Sequence, residues 1–339
     1  MATLPQRLAG LRPANPPDEV AAVVAELVEA VASGASPEEL VVEVAPGAAG
    51  VAPLVAARSL TETSVQGSAM ALDGALRGGL RERLDGAVVR RVSIDDPDEV
   101  HAQIAAGDTV YPITGPEDLG RRLAEDRRIF ALEHAGLEGT VLAFVEVALW
   151  NGLAGDIGAV LRGPVVPSGA DTAIFYSINR CAPGLRGVGA GGLLLERAIP
   201  LIEGVECYST LSPIPGLRAW VEGRRVLGGV HMLLADDSWP PATAPVDAAA
   251  REWLMGVTAR YLTITETRRV PDPVGNFHLR NGAEVARVCW AGDLSPRGRQ
   301  RSWGLMVNYR YEPRLLEARA AAYSRGEVAV ADAVRRLMA

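Results

Sequence analysis

The stretch GLRGVGAGGLLLERAIPLI, residues 184–202, runs a cluster of glycines into an apolar helical pattern. Glycine has no Cβ, so across Arg186, Gly187, Val188, Gly189, Ala190, Gly191 and Gly192 the backbone can turn tightly and bring its N–H groups close to a ligand. At the start of a helix those N–H groups and the helix dipole together favour an anion. A plain tight turn between a strand and a helix accounts for the same residues, and both readings stand at this point.

Outward from that turn, strand patterns alternate with helical ones. TVLAFVEVALW (Thr140–Trp150) and TAIFYSI (Thr172–Ile178) read as strands before it, and VECYSTLS (Val205–Ser212) as a strand after it. PEDLGRRLAEDRRIFAL (Pro116–Leu132) reads as a helix opened by proline, Asp247–Thr263 as another, and Glu312–Gly326 as a last one. NFHLRNGAEVARVCW (Asn276–Trp290) reads as a hairpin turning at Asn281-Gly282, and SWPPATAP (Ser238–Pro245) as an exposed loop.

The region ahead of this alternation is different. Asp18–Ser33 and Ser68–Asp85 carry helical apolar spacing, and SPEEL at Ser36 places serine as N-cap, proline at N1 and glutamate at N3. Ile94–Val110 closes the helical part. The expectation is an α+β chain: a helical packing or oligomerisation domain over residues 1–108, then a mixed α/β domain over 109–339.

Composition removes several chemistries. The chain has 339 residues, enough for about two domains, and 48% hydrophobic content supplies a packed core. All 34 basic residues are arginine, so a lysine Schiff base, a pyridoxal phosphate anchor, a biotin site and a Walker A loop are excluded. A net charge of −7 argues against nucleic acid, although SPRGRQRSW (Ser295–Trp303) is a basic spot that can meet a phosphorylated ligand. No apolar run reaches the length of a membrane span, and no leader pattern precedes the first helix, so the expected place is the cytoplasm. Cys181, Cys207 and Cys289 form neither a disulfide framework nor a metal pair, and no His, Cys or carboxylate spacing suggests a metal.

Four histidines are available. His101 and His134 read as surface residues, His231 as half-buried and structural, and His278 sits in DPVGNFHLRNG beside Asn276 and Asn281. Ser212, in TLSPIPGLRAW, has two readings. It is a hydroxyl capping a turn that Pro213 and Pro215 stiffen, or it is a hydroxyl those prolines hold toward a ligand.

Taken together, FVEVAL, FYSINRCAPGLRGVGAGGLLLERAI, TLSPIPGLRAW, DPVGNFHLRNGA and GLMVNYRY, in that order, resemble the malonyl-CoA decarboxylase family over roughly residues 110–311. The R-x-x-G-x-G spacing also resembles the pyrophosphate-binding turn of acyl-CoA N-acetyltransferases of the GNAT fold. The resemblance implies a helical oligomerising domain followed by a GNAT-like catalytic domain, and a homo-oligomer. It implies Ser212 and His278 as catalytic serine and histidine, Tyr311 as an active-site tyrosine, and Arg186–Gly192 as a CoA-binding loop with Asn276 and Asn308 as further substrate contacts. The substrate it implies is malonyl-CoA or a related acyl thioester, with no cofactor and no metal. Alternatives are methylmalonyl-CoA, a malonyl carrier protein, acyl transfer to an amine, or an acyl-CoA sensor without chemistry. The chain departs from the family in a reduced N-terminal region, a shorter spacing between Ser212 and His278, and Gly189 where some members carry glutamate.

Overall fold

A computed structural model describes residues 2–44, 47–64, 66–164, 169–224, 239–240 and 247–339. His231 and most of the proline-rich stretch at 238–245 lie outside the described residues. The chain forms two compact units that interleave in sequence. The first comprises Met1–Leu123, Arg128–Glu146 and Ser177–Leu201; the second comprises Ala124–Arg127, Val147–Tyr176 and Ile202–Ala339. The α+β class expected from the sequence is the class that forms.

The first unit opens with α1 (Leu4–Gly10), α2 (Pro17–Ala32), α3 (Pro37–Val42), α4 (Val51–Thr61) and α5 (Gly67–Arg83). Their starts follow from local chemistry: Thr3 and Gln6 close a capping box on α1, and the Ser36 side chain accepts from the Glu39 N–H at α3. α2 buries Val20, Val23, Val24 and Leu27, one helical face, whereas α4 is buried on nearly all sides and is the centre of the group. Arg58, at the end of α4, is buried and paired to Asp73 of α5 at 2.9 Å.

One sequence expectation is refined in this unit and another fails. The stretch read as mostly helical also contains a strand, β1 (Val88–Val92), which pairs antiparallel with β2 (Arg127–Glu133). The helix expected over 116–132 divides into α7 (Pro116–Arg122), which follows α6 (Asp98–Gly107), and β2. Ile129, Phe130, Ala131 and Leu132 are buried consecutively, so both faces of β2 are covered, and a doubly covered strand reads as an unbroken apolar run. β3 (Ala143–Trp150) and β4 (Thr172–Arg180) follow in the strand order β1-β2-β3-β4, each with residues in both units, and α9 (Ala190–Ala198) lies in the first unit.

The second unit adds β5 (Cys207–Thr210), β6 (Ser212–Pro213), β7 (Glu284–Cys289) and β8 (Met306–Tyr311), in the order β5-β8-β6 with β7 on β8. β5 lies parallel to β4, and β8 is antiparallel to β5, β6 and β7. Register pairs Tyr208 with Tyr311 and Ser212 with Val307. α8 (Ile157–Arg162), α10 (Leu217–Gly223) and the helices Ala248–Thr263, Pro273–Arg280, Pro296–Ser302 and Leu316–Ser324 complete it.

The hairpin expected over 276–290 is instead a helix, Pro273–Arg280, followed by β7. Asp272 caps this helix by accepting from the Gly275 N–H at 2.7 Å, and Pro273 fills N1. Asn281-Gly282 ends the helix: Gly282 has φ +81°, a left-handed residue past a C-terminus, so the Asn-Gly pair is a helix stop and not a hairpin turn.

Candidate active site

Ser212, His278 and Tyr311 come together in the second unit. Ser212 Oγ lies 3.1 Å from His278 Nε2, and His278 Nδ1 lies 2.7 Å from the Tyr311 hydroxyl. Ser212 Oγ also donates to Thr210 Oγ1 at 2.9 Å, and Thr210 Oγ1 accepts the Tyr309 N–H at 3.1 Å. With the Ser212 proton committed to Thr210, the neutral tautomer that satisfies both ring nitrogens carries its proton on Nε2, donates to Ser212 and accepts from Tyr311.

The local fold explains the convergence. Thr210 and Ser212 are two residues apart, as are Tyr309 and Tyr311 on β8, and a strand returns to the same face every second residue. His278 arrives from the helix Pro273–Arg280 and lays its ring on Tyr309, centroids 4.6 Å apart and planes 25° from parallel. Tyr311 meets Phe175 edge-on at 6.5 Å.

Every member is buried: Ser212 is 5% exposed, His278 3% and Tyr311 2%. Burial pushes the His278 imidazolium down to about 3, so the resting ring is neutral. Burial likewise raises the Tyr311 and Tyr309 phenols above their ordinary value. Asp272, at the head of the histidine's helix, is pushed up to about 6 by burial, opposed by hydrogen bonds from the Gly275 N–H and the Tyr261 hydroxyl. The site is therefore a chain of neutral hydroxyls around a neutral imidazole.

The other expected residues lie elsewhere. Asn308 is on β8 between Tyr309 and Val307; its Nδ2 donates to the carbonyls of Ala154 and Thr210, and its Oδ1 accepts from Arg287 Nε at 2.8 Å. Asn276 accepts the Tyr323 hydroxyl at 2.5 Å, a contact between two helices. The Arg186–Gly192 turn belongs to the first unit. Gly187 and Gly189 have φ +71° and +104°, and Gly189 caps α9, whose first-turn N–H groups at Ala190, Gly191 and Gly192 have no acceptor within the helix. Glu62 holds the approach to the turn by accepting from the N–H groups of Gly184 and Arg186, and Arg81 donates to the Gly187 carbonyl at 3.2 Å.

His134, expected at the surface, is 3% exposed: its Nδ1 accepts the Gly136 N–H and its Nε2 faces the Arg83 carbonyl. His101 lies on α6 with Nε2 on the Ser93 carbonyl. In the basic stretch at 295–303, Arg299 is spent on the carbonyls of Leu294 and Pro240. The three cysteines are unpaired thiols, and burial pushes Cys181 up to about 12. Among the described residues no three His, Cys, Asp or Glu side chains gather in a way that can hold a metal, and no helix is long and apolar enough to cross a membrane.

Sequence reasoning missed Thr210, Tyr309 and Asp272. The period-two spacing of Thr210 with Ser212 and of Tyr309 with Tyr311 was a usable signal, as was Asp272-Pro273, an N-cap followed by proline at N1.

Comparison with known proteins is consistent along the chain. The sequence profile of the malonyl-CoA decarboxylase C-terminal domain matches residues 86–339. The mitochondrial malonyl-CoA decarboxylase of Anser anser anser is 32% identical over 273 residues, 69% of this chain and 54% of that protein. The mitochondrial enzyme of Mus musculus is 31% identical over 71% of this chain and 57% of its own length. The chain thus spans about half the length of the curated relatives it matches. Among solved structures, the malonyl-CoA decarboxylase of Agrobacterium vitis matches with a TM-score of 0.80 at 30% identity, covering 94% of this chain and 87% of that one. That of Rhodopseudomonas palustris matches at 0.78 and 28%, covering 98% of both.

Proposed function

The chain belongs to the malonyl-CoA decarboxylase family, and from that premise we propose that it removes CO2 from malonyl-CoA and leaves acetyl-CoA. The observation that carries the reading is the buried line from Ser212 Oγ through the His278 ring to the Tyr311 hydroxyl, with links of 3.1 and 2.7 Å.

The malonyl carboxylate enters as an anion beside Ser212 and Tyr311. Neutral hydroxyls orient it without the ground-state stabilisation a cation would give, so the carboxylate keeps its tendency to leave as uncharged CO2. The bond between the α-carbon and the carboxylate breaks while His278 is still neutral, and its electron pair moves into the thioester carbonyl as an enolate. The enolate's negative charge then favours the charged form of the neighbouring imidazole, and His278 takes up a proton that comes from solvent. His278 returns its proton to the α-carbon, directly or along the Ser212 hydroxyl, and is neutral again. The balance is malonyl thioester anion plus one proton giving acetyl thioester plus CO2. Ser212 orients and relays, and no acyl-enzyme forms on it. The Arg186–Gly192 turn is proposed to hold the CoA phosphates, and the reaction written this way draws on no metal and no other cofactor.

The test is purified chain with malonyl-CoA, methylmalonyl-CoA or a malonyl carrier protein, each with and without an amine. CO2 and acetyl-CoA released one for one from malonyl-CoA without an amine support the proposal. No turnover of any malonyl thioester sinks it, and turnover only with an amine replaces it by acyl transfer.

A further inference from the structure

His278 has a third neighbour besides the two that bind its ring nitrogens. Tyr309 offers its ring face to the imidazole at 4.6 Å, and it is 0% exposed. Its hydroxyl, also buried, has no hydrogen-bond partner among the described residues. A phenylalanine would fill the same volume without stranding a polar atom, so packing alone does not account for a tyrosine here.

The position of that hydroxyl is informative. A Cβ placed on Gly275 would stand 2.8 Å from the Tyr309 hydroxyl oxygen, closer than real carbon atoms approach. Gly275 is in the first turn of the helix Pro273–Arg280, where its N–H is taken by the Asp272 cap, and His278 is three residues further on the same helical face. One tyrosine side chain therefore touches this short helix twice, with its hydroxyl at the first turn and its ring at the imidazole. Its own N–H is bound to Thr210 Oγ1, which accepts from Ser212.

We propose that Tyr309 is the positioning residue of this site: its hydroxyl gauges the distance of the histidine's helix through the bare backbone of Gly275, and its ring face fixes the plane in which His278 meets Ser212 and Tyr311. The role rests on the proposed use of His278 as the proton carrier. A phenol face also attracts the imidazolium that forms during that turnover. Thr210 ties Tyr309 to Ser212 through hydrogen bonds, so a displacement of the tyrosine misplaces both partners of the 3.1 Å contact at once.

The experiment is a rescue. Gly275→Ala adds a methyl group against the hydroxyl, and Tyr309→Phe removes the atom it strikes. Gly275→Ala alone is expected to lower kcat about tenfold or more with KM within about twofold, because geometry at the reacting centre is lost while thioester binding is kept. Gly275→Ala with Tyr309→Phe is expected to regain all but about threefold of wild-type kcat, and Tyr309→Leu, which loses the ring face and leaves Gly275 untouched, is expected to stay about tenfold down. Wild-type kcat in Gly275→Ala, or a double variant no better than Gly275→Ala, overturns the proposal. Histidine NMR on the same proteins reads it independently of turnover. The His278 signals, identified by their loss in His278→Asn, should move in Gly275→Ala and return in the double variant. If the wild-type protein leaves malonyl-CoA intact, the decarboxylase reading falls alone, and unmoved His278 signals in Gly275→Ala are what refute the positioning role.

Discussion

Two buried polar clusters in this molecule are built on opposite principles. In the first unit Arg122 gathers three carboxylates: it donates to Asp108 at 3.0 Å, to Glu146 at 2.8 Å and to Asp118 at 3.0 Å. Ser177 and Asn179 add donors to Asp108 at 3.0 and 2.9 Å. In the second unit Ser212, His278 and Tyr311 form a line of neutral groups with no formal charge in the resting state. Charges taken out of water must be paired, and Arg122 spends its donors on that pairing, while burial keeps Glu146 protonated at neutral pH with its Oε1 unpartnered among the described residues. A neutral line has spent little, and so can receive an anion and a proton. On the proposed function, burial with hydrogen bonds does not by itself mark a reactive site; what separates the two clusters is a line without charge at rest against one built around a fixed cation.

The comparison breaks most sharply at His278. His278→Asn is expected to lower kcat about 10³-fold with thioester binding kept, measured as KM or by calorimetry with CoA, while Ser212→Ala loses about 10²-fold. Both should unfold near the wild-type midpoint. Arg122→Met is the converse case. It leaves buried carboxylates without their cation and is expected to lower stability by about 3 kcal/mol in denaturant unfolding, with kcat of the folded protein little changed.

The pH dependence of stability sharpens the same contrast, because the two clusters slope in opposite directions. Burial, helped by Asp108 and opposed by Arg122, holds Glu146 up at about 8 against an ordinary 4.5. The folded chain then binds the extra proton across that window, and stability falls as pH rises through it. His278 stands at about 3 against an ordinary 6.5, so the unfolded chain binds the extra proton and stability falls as pH drops from 6.5 toward 3. Unfolding curves across pH should show Glu146→Gln flattening the first slope and His278→Asn the second, each by up to about 1.4 kcal/mol per pH unit. The smallest effect expected is Tyr311→Phe, which keeps the ring on Phe175 and loses one hydrogen bond to His278, for about a tenfold fall in kcat.

Much of this was legible in the sequence where a residue's type and its local pattern agreed. Ser36 and Thr172–Ile178 gave a cap and a strand that form as expected, and the quoted motifs placed Ser212, His278 and Tyr311, which meet in space. What failed were segments whose meaning depends on distant cover. The run at 129–132 is apolar on every residue, which a buried helix and a doubly covered strand share, and only its pairing with β1 decides between them. Asn281-Gly282 serves a hairpin and a helix stop equally well, and the choice lay in the Asp272 cap nine residues earlier. Asn308 and Tyr309 are adjacent in sequence, yet one clamps backbone carbonyls and the other carries the imidazole, because successive strand residues face opposite ways.

The most direct measurement of the central claim is the reaction of malonyl-CoA in D2O, followed by mass spectrometry of the thioester product. Delivery of one solvent-derived proton to the enolate through His278 predicts acetyl-CoA with a single deuterium in its methyl group, formed at the rate of CO2 release and lost in His278→Asn. Unchanged malonyl-CoA, release of malonate and free CoA, or equal deuterated product from His278→Asn would contradict it.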